Sequence, residues 1–183
     1  MMSPEWPLET ERLTLRPFVE NDFREFEAMQ ADPELARWLY NDAREGDEAR
    51  SHFERKLSIS VLHAEGDWLS CGVVARSTGA LVGDLSFHWV SDEHRTGEVG
   101  FVFASGHQGK GYATEAASAL VGWAFASGFH RVIGRTEARN APSARVLEKL
   151  GMRLEAHFVE NEWVKGEWQS ELVYAVLDRE WHS

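Results

Sequence analysis

Residues 107–113 read HQGKGYA, and the interpretation of the whole chain depends on this short glycine-rich stretch. Glycine destabilises the interior of a helix, but it lets the backbone approach a ligand closely. The unpaired N–H groups at the start of a helix also bind phosphate. Because Gly109 and Gly111 directly precede a long apolar segment, the stretch predicts either a phosphate-binding loop or an ordinary turn.

The flanking segments place this stretch between a strand and a helix. The preceding run, EVGFVF (98–103), is typical of a strand, and from Gly111 to Ser127 apolar residues recur at helical spacing. Gly128 is placed to end that helix. A strand in HRVIGRTEA (130–138) and a short helix in NAPSARVLEKLGM (140–152) follow, and Asn140 suits the cap of the second helix.

The rest of the chain supplies further helices and an antiparallel sheet. Helical spacing covers residues 22–30, and the segment after Pro33 indicates a short helix and then a longer one that ends near Gly66. Residues 68–103 carry three strand-like runs separated by turn residues, and residues 153–178 form a hairpin around a Lys-Gly turn. This order predicts an α/β (α+β) fold on one central, partly antiparallel sheet.

Composition limits the class of partner. The chain has 183 residues, 43% of them hydrophobic, which suffices for one domain over residues 1–183. A formal net charge of −11 argues against nucleic acid, which binds basic surfaces, and suits a cationic or amine-bearing substrate. Solubility alone is the alternative explanation of that charge.

Cysteine, histidine and apolar patterns give expectations about location and metals. Cys71 is the single cysteine, so no intrachain disulfide forms, and the first residues lack the pattern of a secretion signal. No segment reaches the roughly 20 apolar residues of a membrane span. We therefore expect a cytoplasmic protein without a membrane partner. His88 and His94 do not have the spacing of a metal site, and none is expected.

The glycine stretch matches neither established nucleotide loop. A P-loop and a Rossmann loop each require a different glycine spacing, whereas here the pattern is Q-x-x-G-x-A, from Gln108 to Ala113. It resembles the acetyl-coenzyme A loop of the Gcn5-related N-acetyltransferases (GNAT superfamily). Four ordered blocks resemble its RimJ/RimL-type branch: LETERLTLRPF (8–18), GEVGFVFASGHQGKGYATEA (97–116), HRVIGRTEARNAPSARVLEKLGM (130–152) and WVKGEWQSELVYAVLDREW (163–181).

The resemblance implies a fold, a reaction and a co-substrate. The fold is a single mixed, largely antiparallel sheet of about seven strands, flanked by helices and ending in a hairpin. The reaction is acetyl transfer from acetyl-CoA to a primary amine by direct attack, without a metal. The implied cofactor-binding residues are the backbone of one strand, the glycine loop and the start of the second helix: Phe101, Val102, Phe103, Gln108, Gly109, Lys110, Gly111, Tyr112, Ala113, Asn140 and Ser143.

Two residues are candidates for the proton transfers that the implied reaction requires. Glu98 is the candidate base, and its alternative is a strand-edge carboxylate that faces solvent or an arginine such as Arg95. Ser143 is the candidate proton donor to the departing thiolate, and its alternative is a bond to local backbone. Many members of the superfamily carry a tyrosine as general acid where this chain has Leu147, so Ser143, water or the intrinsic stability of the thiolate must serve.

Aromatic and polar residues form the expected acceptor site. The resemblance places it between the first helices and the final hairpin, and the candidates are Trp38, Tyr40 with the nearby Asp42, Asp84 and His88. Trp163 and Trp168 flank the hairpin turn, and at least one of them is expected in the core. Family members often have an acidic residue at the position of Ser170, so inherited contacts there are in doubt.

The implied acceptor is either a protein N-terminus, as in ribosomal proteins, or a small amine. A non-catalytic acyl-CoA-binding regulatory domain is the alternative that the missing tyrosine supports. A protein that binds partners through exposed tryptophans, with the glycine loop as a simple turn, is a further alternative. The sequence leaves the oligomeric state open, a homodimer included.

Overall fold

One eight-stranded sheet runs through the computed structural model, which describes residues 1–182. The strand order is β1-β2-β3-β4-β5-β6-β8-β7, and among the described residues only β5 and β6 run parallel. The strands are β1 (Leu8–Glu9), β2 (Leu13–Arg16), β3 (Trp68–Ala75), β4 (Leu81–Ser91), β5 (Thr96–Phe103), β6 (Arg131–Glu137), β7 (Arg153–Val164) and β8 (Glu167–Leu177).

Helices cover both faces of this sheet. The helices are α1 (Phe23–Gln30), α2 (Pro33–Ala36), α3 (Gly46–Ser58), α4 (Tyr112–Ala126) and α5 (Ala141–Lys149). Buried residues of α4 and α5, such as Leu120 and Leu147, join the larger core with β2 to β6 and β8. Phe26 of α1, Leu35 of α2 and Phe53 of α3 form a second core on the other face.

The predicted α/β fold with one largely antiparallel sheet is confirmed. The meander of β3, β4 and β5 and the final hairpin of β7 and β8 are present, with Lys165 and Gly166 at positive φ in the turn. The sheet has eight strands where about seven were expected, because β1 spans only two residues and therefore shows no alternating pattern.

The predicted end of the long amphipathic helix near Gly66 is wrong. α3 ends at Ser58, because the next backbone groups bond elsewhere. The carbonyl of Ile59 accepts the N–H of Ser70, and Leu62 forms a bridge with Met2. The segment 59–67 is consequently a connection between α3 and β3.

The divergence of β5 and β6 is the feature of the sheet that positions a site. These parallel strands pair from Thr96↔Arg131 to Glu98↔Ile133, and the pairing then ends. β5 continues beside β4 to Phe103, whereas β6 continues beside β8 to Glu137. A gap therefore opens in the middle of the sheet, beyond Glu98.

Candidate functional site

A cavity of about 560 Å³ occupies the gap between β5 and β6. The glycine loop and the start of α5 line it on one face of the sheet, and charged side chains of β5, β6 and β8 line it on the other. The sequence candidates that line it are Trp38, Tyr40, Glu98, Phe101, Val102, Phe103, Gln108, Gly109, Gly111, Tyr112, Ala113, Asn140 and Ser143. The gap thus brings together residues predicted to bind the cofactor and residues predicted to bind the acceptor.

The glycine loop leads directly into the first turn of α4. Gly109 has φ +74° and Gly111 has φ +81°, which is the left-handed region that glycine adopts without strain. A Cβ at Gly109 would meet no atom within 4 Å, so the backbone is accessible there. The amides of this loop and of Tyr112 and Ala113 lie at the positive end of α4, where anions bind favourably.

Lys110 contributes its backbone to this loop. The residue is exposed and is absent from the cavity lining. Its carbonyl accepts a hydrogen bond of 2.8 Å from Nη1 of Arg12. The contact predicted for Lys110 is one through its backbone amide, and the peptide that Lys110 forms with Gly111 belongs to the loop.

The edge of β5 presents backbone groups to the gap. The N–H of Ala104 bonds the carbonyl of Val82, in register with the ladder between β4 and β5. By the alternation of an antiparallel ladder, the backbone groups of Val102 then bond β4, and those of Phe101 and Phe103 point to the opposite edge. The predicted backbone contact with a ligand is therefore open to Phe101 and Phe103. Val102 can contact a ligand only through its side chain.

Gln108 connects the glycine loop to this edge. Its Nε2 donates to the carbonyl of Phe103 over 3.1 Å. One of the outward-facing groups of β5 is therefore already bonded by a side chain of the loop, and the Gln108 side chain fixes the loop relative to the strand.

The start of α5 brings Asn140 and Ser143 to the cavity. Oδ1 of Asn140 accepts the N–H of Ser143 over 3.2 Å, which is a helix cap, so the capping interpretation of Asn140 is confirmed. The amide NH₂ of Asn140 is left to donate to a ligand. Ser143, three residues further along, also lines the cavity.

Leu147 lies away from the cavity. Its side chain is 1% exposed and packs against β6 at Gly134, where an added Cβ would come within 2.4 Å of Leu147 Cδ2. The residue belongs to the core beneath the sheet, so no side chain from this position reaches the reacting groups in this chain.

Glu98, Arg135 and Glu171 form a charged cluster on the other side of the gap. Nε of Arg135 lies 3.3 Å from Glu98 Oε2, and its Nη1 lies 3.2 Å from Glu171 Oε1. Burial raises the pKa of Glu98, and Arg135 opposes that rise. Burial also raises the pKa of Glu171, with Arg135 opposing and the neighbouring carboxylates of Glu162 and Glu98 adding to the rise.

Sequence reasoning missed Arg135, Glu162 and Glu171 at this site. The alternative for Glu98 was a carboxylate that faces solvent or an arginine such as Arg95, and the arginine in contact is Arg135 of β6. Ser170, where family members often have an acidic residue, accepts the N–H of Glu160. The acidic residue that the hairpin supplies to the cavity is the next one, Glu171. A charged residue in a central strand, as in Arg135, was the available signal.

The first helices contact the hairpin across the mouth of the cavity. The hydroxyl of Tyr40 donates to the Glu162 carboxylate, with 2.9 Å to Oε2, and desolvation followed by this carboxylate raises the pKa of Tyr40. Nζ of Lys165 donates to the carbonyl of Ala36 over 2.6 Å. Asp42 pairs with Lys165 at 3.8 Å and is absent from the cavity lining, so its predicted place in the aromatic wall is wrong.

Asp84 and His88 are not part of the cavity lining, contrary to the prediction. Asp84 is 6% exposed and is bonded by Lys56 Nζ at 2.8 Å and by the Ser70 hydroxyl at 3.0 Å, so its carboxylate is fully used within the protein. His88 lies parallel to Trp68, with ring centroids 4.3 Å apart. Trp68 is the member of that pair that lines the cavity, and it was not predicted.

Trp163 and Trp168 are also placed differently from the expectation of a core role. They are 60% and 55% exposed, and they contact each other edge to face with ring centroids 5.2 Å apart. Neither lines the cavity.

The cavity fits the requirements of acetyl-CoA binding. The open glycine backbone suits a pyrophosphate, and the strand edge at Phe101 and Phe103 suits the amide groups of a pantetheine arm. Within residues 1–182, no cluster of histidine, cysteine, aspartate and glutamate side chains has the arrangement of a metal site. In the same residues, no helix is long and apolar enough to cross a membrane.

Comparisons with known proteins agree with this geometry. Residues 12–153 match the family described as Acetyltransferase (GNAT) domain. The chain is 30% identical to the uncharacterized N-acetyltransferase YnaD of Bacillus subtilis over 174 residues, which is 94% of this chain and 98% of YnaD.

Solved structures share the fold over nearly the whole chain. A GNAT-family acetyltransferase from Bacillus anthracis superposes with a TM-score of 0.85 at 30% identity, covering 95% of this chain and 99% of that one. A spermidine N-acetyltransferase from Vibrio cholerae, solved with CoA and spermine, superposes with a TM-score of 0.77 at 20% identity, covering 93% and 98%.

Proposed function

This chain belongs to the GNAT acetyltransferase family and is an acetyl-CoA-dependent N-acetyltransferase, and we propose that it acetylates a primary amine on a small acceptor that carries a second positive charge. The four sequence blocks support membership of the RimJ/RimL-type branch. The observation that carries the proposal is the acidic cluster of Glu98, Glu162 and Glu171 at the gap between β5 and β6.

We assign one end of the cavity to acetyl-CoA and the other end to the acceptor. Amides of the glycine loop and of the first turn of α4 bind the pyrophosphate of acetyl-CoA, and the pantetheine arm lies along the edge of β5. The N–H groups of Phe101 and Phe103 orient the arm and polarise the thioester carbonyl. The acceptor enters from the opposite face of the sheet, between Trp38, Tyr40 and Glu98.

Glu98 acts as the base in the proposed reaction. Nucleophilic attack requires the neutral amine, so Glu98 removes a proton from the acceptor nitrogen, directly or through water. The nitrogen then forms a bond to the acetyl carbon and releases its second proton to water, and the carbon–sulfur bond breaks with its electron pair on sulfur. The raised pKa of Glu98, which burial causes, makes this carboxylate a stronger base than an exposed glutamate.

Ser143 supplies the proton that the departing thiolate takes up, and water restores it. The start of α5 holds Ser143 at the cavity wall through the contact of its N–H with Asn140. A thiol has a pKa of roughly 8.5, so the thiolate is a moderate leaving group and this proton transfer contributes less than the base does.

The charge balance of the acceptor end supports a dicationic acceptor. The carboxylates of Glu98 and Glu171 both contact the guanidinium of Arg135, and the carboxylate of Glu162 lies near enough to raise the pKa of Glu171. When one ammonium group loses its proton to become the nucleophile, a second ammonium still finds a carboxylate nearby. A protein N-terminus usually offers one charged amine, and it benefits less from this arrangement.

A matched series of six-carbon amines tests the acceptor. Purified protein with acetyl-CoA is given 1,6-diaminohexane, hexylamine or 6-aminohexanoate, and thiol release and the acetylated product are measured. We expect kcat/KM to fall in that order, by about tenfold at each step, which corresponds to roughly 1.4 kcal/mol.

An Ala-initiated peptide serves as the comparison acceptor in the same assay. Acetylation of the peptide in preference to the diamine would reject the small dicationic acceptor. Binding of acetyl-CoA without thiol release for any of these amines would instead support the non-catalytic domain.

A further inference from the structure

Arg12 connects the turn between β1 and β2 to the glycine loop. Its Nη1 donates to the carbonyl of Lys110 over 2.8 Å. Its Nε and Nη2 each lie 2.7 Å from Oε2 of Glu115, in the first turn of α4. The guanidinium also lies over the ring of Tyr112, 4.9 Å from its centroid. One side chain therefore contacts Lys110 in the glycine loop and both Tyr112 and Glu115 in the first turn of α4.

Glu115 holds Arg12 in this place. The carboxylate accepts the backbone N–H of Arg12 at 2.8 Å and the hydroxyl of Thr10 at 2.6 Å, in addition to the guanidinium. Burial acts to raise the pKa of Glu115, but these hydrogen bonds and the charge of Arg12 outweigh it and lower the pKa. The carboxylate is therefore charged at neutral pH, and it fixes both the backbone and the side chain of Arg12.

The contact with Lys110 determines the direction of one loop amide. The carbonyl of Lys110 and the N–H of Gly111 belong to the same planar trans peptide and point in opposite directions. Since Arg12 holds that carbonyl on its own side, the N–H of Gly111 points away from Arg12. Gly111 lines the cavity, and a glycine at φ +81° has little intrinsic barrier to a change in peptide orientation.

We propose that Arg12 is a positioning residue that holds the Lys110–Gly111 peptide with its N–H toward the pyrophosphate of CoA. The inference rests on the proposed function of the glycine loop. Arg12 acts through the loop and not by attraction of the phosphates, because the carboxylate of Glu115 already neutralises its charge. The fork of the guanidinium suits this role, since Nη1 donates to the Lys110 carbonyl while Nε and Nη2 contact the Glu115 carboxylate, whereas a lysine offers all its donors from one nitrogen.

Binding of CoA and of pantetheine, which lacks the pyrophosphate, tests this role by calorimetry. We expect Arg12→Met to weaken CoA binding about tenfold, the loss associated with one charge-assisted hydrogen bond. Pantetheine binding should be unchanged, which also shows that the variant is folded. Arg12→Lys keeps the charge and should not restore CoA binding.

Arg76→Met is the matched control. Arg76 donates to the carbonyl of Thr10 at 2.9 Å, in the same β1–β2 turn, and does not contact the glycine loop. The inference is overturned if Arg12→Met binds CoA as well as Arg76→Met does, or if Arg12→Met weakens the binding of CoA and of pantetheine equally. Full recovery of CoA binding in Arg12→Lys would also overturn it. A wild-type protein that binds CoA no better than pantetheine would instead reject the proposed function of the loop.

Discussion

Nε of Arg135 lies 3.3 Å from Oε2 of Glu98, across the point at which β5 and β6 separate. Burial raises the pKa of Glu98, and this arginine opposes that rise because a nearby positive charge favours the ionised carboxylate. The same guanidinium contacts Glu171 at 3.2 Å. Arg135 therefore limits the rise in the pKa of the proposed base, and it occupies part of the acceptor end.

Replacement of Arg135 changes the pH dependence of the reaction. In Arg135→Met the opposing charge is lost, so the pKa of Glu98 rises further and Glu98 becomes protonated at higher pH. Because the base must be deprotonated, we expect the acidic limb of the kcat/KM profile to move to higher pH. Arg135→Lys should move it less. An acidic limb that stays in place or moves to lower pH would contradict the assigned role of Glu98.

Ser143→Ala tests the proton donor. The substitution removes a hydroxyl at the cavity wall and leaves the backbone cap to Asn140 intact. We expect kcat to fall by about tenfold, since the thiolate leaves unprotonated or takes its proton from water. The dissociation constant of CoA, measured by calorimetry, should change little. If kcat is unchanged, Ser143 has no part in the proton transfer.

Gly111→Val tests the backbone cradle. A side chain there would stand 3.3 Å from Nη2 of Arg12 and would require φ +81°, which valine adopts only with strain. We expect CoA binding to be lost. Gly79→Val is the control, because Gly79 has φ +72° and open surroundings in the turn between β3 and β4. That variant carries similar backbone strain and should bind CoA normally; retained binding in Gly111→Val would refute the cradle.

Leu147→Tyr tests whether a general acid of the kind common in the superfamily can be restored by one substitution. The site is 1% exposed and faces Gly134, so a tyrosine ring must displace β6 or its neighbours. We expect the free energy of unfolding to fall by about 1–3 kcal/mol, with no gain in turnover. Urea unfolding measures the first effect, and Val146→Tyr at the cavity wall is the control. A stable, faster Leu147→Tyr enzyme would contradict this placement.

Features that depend on neighbours in sequence were predictable. The glycine loop, the Asn140 cap and the turn at Lys165 and Gly166 follow from the conformations that these residues favour within a few positions. The gap between β5 and β6 could not be read from the chain, because pairing between strands 35 residues apart decides it. Its position relative to Glu98 became known only from the register.

The charged end of the cavity depends on contacts between distant strands. Glu98, Arg135 and Glu171 lie on β5, β6 and β8, and the strand order brings them together. Asp84 was wrongly predicted to line the acceptor site, because it lies on the polar side of β4. In the structure, Lys56 of α3 covers that part of the sheet. Alternation identifies the face of a strand, but it does not identify what packs there.

The role of Glu98 as the base is tested most directly by the activity of Glu98→Gln with 1,6-diaminohexane and acetyl-CoA. We expect kcat/KM to fall by about 10²- to 10⁴-fold, the usual contribution of a general base, while the dissociation constant of CoA is unchanged. Glu93→Gln, at an exposed position in the turn before β5, serves as control and should have wild-type activity. Wild-type turnover in Glu98→Gln would show that Glu98 is not the base.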